Sequence, residues 1–77
     1  MQFSDYFEFT RLREDRKIIK MQWIEQAFYH PMKTQTQNDG RTRHWAYINE
    51  VDKYLRIVVL EDNLTIHNAF FDRSFKP

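Results

Sequence analysis

The segment TIHNAFFDRSF, residues 65–75, carries a histidine, His67, and an arginine, Arg73, and the apolar run YLRIVVL just before it is interrupted by Arg56. These residue types suit phosphate chemistry. A guanidinium presents a planar fork that donates two hydrogen bonds to one phosphate, and an imidazole exchanges a proton near neutral pH. In metal-independent RNA cleavage a general base activates the ribose 2′-hydroxyl while cations stabilise charge growing on the phosphate oxygens. On that chemistry His67 is the proton-transfer group, and Arg56 and Arg73 hold the phosphate. The preceding segment RHWAYI adds a cation, Arg43 or alternatively His44, and Trp45, Tyr47 and Phe71 supply rings on which bases of a single strand stack. Each residue also has a plainer role available: His67 as a hydrogen-bonded strand residue, Arg56 as the polar member of an alternating strand.

Other chemistries find no support. The three histidines, His30, His44 and His67, are far apart and there is no cysteine, so no metal site is expected. A chain with one glycine builds neither a P-loop nor a dinucleotide fingerprint, so no cofactor is expected either. Twelve Lys and Arg against eleven Asp and Glu give a net charge of +1, short of the basicity of a dedicated nucleic-acid binder. The distribution matters more than the total. Asp39, Glu50, Asp52, Glu61 and Asp62 fall in turn segments, whereas Arg43, Arg56 and Arg73 lie in or beside strands, so near-neutrality conceals a basic face. No apolar run reaches the length of a membrane span, and the start MQFSDYFEF lacks the basic head and apolar core of a secretory signal. The expectation is a soluble, cytoplasmic protein.

The elements that must position these residues follow from hydrophobic period. A chain of 77 residues supports one small core, hence one domain over 1–77. Seven Phe, four Tyr and two Trp exceed what such a core absorbs, which leaves aromatic surface for a partner. Thr10 is placed to N-cap a short charged helix, RLREDRK. A second helix fits KMQWIEQAFYH, with Trp23, Ile24, Ala27 and Phe28 as its apolar stripe, a break near Ile18 and Ile19, and Pro31 as its end. Beyond Pro31 the period becomes two. Asn38, Asp39 and Gly40 make a hairpin turn, and RHWAYI, YLRIVVL and LTIHNAFF form a meander whose last turn is Asp62–Asn63. That turn sets Val59 opposite Ile66 and Leu55 opposite Phe70 on a buried face. It groups Arg56, Val58, His67 and Ala69 on the other face, beside Tyr54 and Phe71. The predicted fold is α+β: two N-terminal helices packed on one face of a small antiparallel sheet.

The order of a helix ending in HP, then DGR, a tryptophan-bearing strand, YLRIVVLED and TIHNAFFDRSF resembles a small bacterial family of unknown function, itself similar to BrnT and RelE-type toxins. The resemblance covers roughly 5–75. It implies a curved antiparallel sheet with helices on one face, an RNA-cleaving or ribosome-dependent site on the other, and an antitoxin protein as partner. Its matching positions are Arg56, His67, Ala69 and Arg73; the histidine such proteins carry near the first helix is replaced here by the Glu8–Arg11 region. The leading expectation is therefore a toxin-like ribonuclease or translation inhibitor acting on RNA. The alternative is a non-catalytic protein-interaction module, a homodimer or half of a pair, and a gyrase-directed inhibitor is a third option.

Overall fold

Helix formation begins earlier than the sequence predicts. In the computed structural model, which describes Met1–Pro77, Ser4 takes an extended conformation and its Oγ accepts the Phe7 amide at 3.1 Å, capping α1 (Asp5–Thr10). Asp5 and Glu8 in the first turn add favourable charge at the helix N-terminus. Thr10 is thus the last residue of a helix rather than an N-cap; it is buried, and its hydroxyl donates back to the Phe7 carbonyl at 3.3 Å. A single turn, α2 (Glu14–Lys17), follows, and the expected break at Ile18–Ile19 separates it from α3 (Met21–Tyr29). In α3 Trp23, Ile24 and Ala27 are buried while Gln22, Glu25 and Gln26 face water, as the 3.6-residue period requires. The helices number three, not two, because Ser4 caps a six-residue α1 too short to carry a clear period.

The sheet has five strands in the order β1-β5-β4-β3-β2, with β1 (Gln2–Phe3), β2 (Lys33–Thr36), β3 (Thr42–Ile48), β4 (Lys53–Val59) and β5 (Thr65–Phe71). β3 to β5 form the expected antiparallel meander, and β2 adds a fourth antiparallel strand beside β3. The sheet is nevertheless mixed, because β1 runs parallel to β5, with the Gln2 amide on the Leu64 carbonyl at 2.9 Å and the Ser4 amide on the Ile66 carbonyl at 3.0 Å. Two residues carry no period, so sequence pattern could not reveal this strand. Gly40, at φ +88° in the β2–β3 turn, has the left-handed conformation that glycine adopts without cost, and an added Cβ there would meet Glu61 Cγ at 3.0 Å.

Register decides the site. The β4–β5 turn pairs Val59 with Ile66 as expected, but the next pairs are Val58 with Asn68, Ile57 with Ala69, Arg56 with Phe70 and Leu55 with Phe71. His67 is the unmatched residue of a β-bulge. Past it every side chain is one step from its expected position, so Ala69 and Phe71 turn to the helices and Phe70 turns away from them. The bulge has a physical cause. IHNA places two polar residues between two apolar ones, and only an extra residue keeps both Ile66 and Ala69 in the core. That core lies between the sheet and the helices: Ile48, Leu55, Ile57, Val59 and Ile66 are 0–1 % exposed, under Phe7, Trp23 and Ile24. No helix is long and apolar enough to cross a membrane.

Candidate nucleic-acid interface

The face of the sheet away from the helices is built from alternate residues of three strands. Cross-strand pairing aligns Trp45, Arg56 and Phe70 in one row and Arg43, Val58 and Asn68 in the next, with Tyr47 beside Tyr54. The choice between Arg43 and His44 is settled by the same pairing. Arg43 stands on this face, while His44 points to the helices and its Nδ1–H donates to the Ala27 carbonyl at 3.1 Å. Arg43 donates from Nη1 to Gln35 at 3.2 Å, and Gln37, with its amide oxygen turned to the guanidinium, accepts from Nη2 at 3.0 Å and Nε at 3.2 Å. No carboxylate pairs with Arg43, so its charge is uncompensated.

Arg56 is held differently. Its guanidinium lies 4.3 Å from the Phe70 ring centroid, and Nη1 is 3.5 Å from Asp72 Oδ2. Asp72 is almost buried and also accepts from Trp45 Nε1 at 3.0 Å, from the Ser74 amide at 3.0 Å and from Ser74 Oγ at 2.8 Å. Burial alone would raise its pKa; the hydrogen bonds from Trp45 and Ser74, with Arg56, outweigh burial and hold the carboxyl below its usual range. Burial lowers the Arg56 pKa, Asp72 opposes the shift and Arg43 adds to it. Arg56 Nε is buried without a partner, the one unsatisfied polar atom of this row.

The C-terminal segment folds over the same row. Phe75 stacks on Trp45 at 4.9 Å between ring centroids and 19° between planes, meets Tyr54 edge-on at 5.0 Å, and carries the Lys33 ammonium 5.8 Å above its ring. Trp45 is consequently only 5 % exposed, although it sits on the helix-free side. Of the other rings expected to stack on bases, Tyr47 is exposed and donates to Asp52, and Phe71 packs on Trp23 on the helix side. The bulge is the reason Phe71 lies there.

His67 occupies the opposite end of the face. Its Nδ1 is 2.9 Å from Ser4 Oγ and its ring stacks on Tyr6 at 4.7 Å. Burial, then the nearby Arg41, lower its pKa below the usual histidine range against the opposing Glu61, so the imidazole is neutral at pH 7. Ser4 Oγ accepts from the Phe7 amide and has a second lone pair, to which the Nδ1–H tautomer of His67 donates. In that tautomer Nε2 keeps the free lone pair that a general base needs.

Arg56, His67 and Arg73 do not converge. The cross-strand partner of Arg56 is Phe70, three residues along β5 from His67, or about 10 Å of strand. Arg73 leaves the far end of β5, where it lines a cleft with Arg16 and Lys53. Two residues outside the expected set prove central. Arg16, in the charged segment RLREDRK, is largely covered: Nη1 donates to Asn68 Oδ1 at 2.6 Å and to the Ala69 carbonyl at 3.0 Å, and its guanidinium lies 5.3 Å from the Phe70 centroid. Asp72 had a weak signal in its two-residue spacing from Phe70, which places both on one face once the bulge is known. No group of three or more His, Asp or Glu side chains is placed to hold a metal ion.

In comparisons with known proteins, no family model, curated protein or solved structure matches the chain.

Proposed function

We propose that this protein is an RNA-directed, toxin-like translation inhibitor that binds single-stranded RNA across the helix-free face of its sheet. The observation that carries the proposal is the half-buried Phe70 ring, flanked by Arg56 at 4.3 Å and Arg16 at 5.3 Å, with the uncompensated Arg43 in the adjoining row. Guanidinium planes layered over a half-buried ring match one way single strands are bound: bases stack on arginine planes as well as on aromatics, while cations follow the phosphates. Metal-independent cleavage on this face uses His67 as the base. The cations nearest in its support are Arg41, close enough to depress the imidazolium, and Arg43, whose row ends at Asn68 beside His67.

The test is a titration of labelled single-stranded RNA at two salt concentrations. Affinity is expected to fall with salt at a log–log slope of about −0.7 per phosphate contacted, and Arg43→Ala to make that slope shallower by about 0.7. Absence of binding at low salt would reject the proposal. A protein-interaction module, with an antitoxin or a second copy as partner, would then take its place. One observation favours that alternative: β2 lies at the sheet edge with all four residues exposed, leaving backbone groups free for strand addition.

A further inference from the structure

Where β5 ends, its two faces meet in a cleft of about 220 Å³ between α2 and the start of β4. Three cations line it, Arg16, Lys53 and Arg73, with Ile18, Phe70 and Phe71 as its apolar wall. Its one acid, Asp15, is shared between Arg16 at 3.4 Å and Arg13 at 3.5 Å. Neither Lys53 nor Arg73 lies within ion-pair distance of any carboxylate, and both are exposed. Arg16 is the fixed member, anchored by Asn68 and the Ala69 carbonyl, and the Lys53 ammonium is set 5.2 Å over the Phe71 ring. Two unpaired positive charges beside a third that is half-neutralised match a dianion better than a monoanion.

We infer that this cleft is a subsite for a terminal phosphomonoester of RNA, which carries close to two negative charges at neutral pH, whereas an internal phosphodiester carries one. The inference rests on the RNA-binding proposal. Phe70 connects the two sites, because its ring belongs both to the cleft wall and to the row of Arg56. A nucleotide whose base stacks on the guanidinium layered over Phe70 places its terminal phosphate among Lys53, Arg73 and Arg16. The strand then continues over Arg56 and Arg43. Lysine supplies a compact charge and the two arginines supply forked donors, a combination suited to the three free oxygens of a phosphomonoester.

The experiment measures binding of one short single-stranded RNA prepared with a 5′-phosphate, with a 3′-phosphate, or with hydroxyl groups at both ends. The wild type is expected to bind one of the phosphorylated forms at least about tenfold more tightly than the hydroxyl form, the scale of one charge-assisted hydrogen bond. Lys53→Ala/Arg73→Ala, confirmed to be folded by a cooperative melt, is expected to bind all three forms alike. Which phosphorylated form gains identifies the end that occupies the cleft. Equal binding of all three by the wild type would overturn the subsite while leaving RNA binding intact. Failure to bind any of them would overturn both.

Discussion

The two faces of the sheet are closed by different physics. On the helix side Leu55, Ile57 and Val59 of β4 are 0–1 % exposed among Ile48, Ile66 and the apolar stripe of α3, a layer held by removal of hydrocarbon from water. On the other side the same strand offers Tyr54, Arg56 and Val58, and what covers that row is an ion pair, a tryptophan and the returning C-terminal segment. A burial term without direction tolerates adjustment. The partly buried Arg56–Asp72 pair does not, because Asp72, fixed by Trp45 and Ser74, is the one carboxylate that compensates Arg56. The helix side therefore supplies stability, and the open side supplies a fixed arrangement of charge.

The largest effect should come from the helix side. Leu55→Ala deletes methyl groups from a fully buried position and should cost about 2–5 kcal/mol, measured from the urea unfolding midpoint. For a domain of this size that is a large share of a total stability of about 4–12 kcal/mol. A loss under about 1 kcal/mol would mean that the layer repacks and that the contrast between the faces is overstated.

On the open side Asp72→Ala removes the acceptor for Trp45 Nε1 and the Ser74 amide and leaves Arg56 unpaired. The expected cost is about 1–3 kcal/mol, moderated by the partial exposure of Arg56. Arg56→Met in that background should restore part of the loss, since it removes the stranded charge while keeping an apolar stem against Phe70. Additive losses in this double-mutant cycle would show that the pair is uncoupled.

The smallest effect is in pH dependence. His67 titrates in the unfolded chain near 6.5 and lower in the folded protein, so between those values the unfolded state binds more protons. Stability should fall as pH drops below 6.5 and level off below the folded pKa. Asp62 and Asp72 are held below their ordinary 3.8, so their contribution is present above that value and is lost as pH falls through their folded pKa values. Melting temperatures across this range should show two separated declines, and His67→Gln should abolish only the upper one. An unchanged upper decline in the variant would remove His67 as its source.

Much of this architecture is legible in the chain. The α3 stripe, the stop at Pro31 and the three-strand meander follow from period and turn chemistry, and Val59 opposite Ile66 follows from the Asp62–Asn63 turn. The β1 strand and the Ser4 cap escape notice because each is too short for a periodic signal. The bulge has its signal in IHNA, the two polar residues where alternation allows one, and strict alternation through it misplaces Ala69, Phe70 and Phe71 together.

Residue types along the chain define which positions can be buried and which can carry charge: one α+β core, an apolar set on β4, and arginines held apart from the turn acids. Those follow from side-chain chemistry and from periods of 3.6 and 2, which are local. Long-range packing alone makes Asp72 the partner of Arg56, lays Phe75 over Trp45, brings His67 to Ser4 and Tyr6, and joins Arg73 to Arg16 and Lys53 instead of His67. The physical reason is distance along the chain. Most of these contacts join residues far apart in sequence, and a single inserted residue in β5 reassigns the face of every side chain after it.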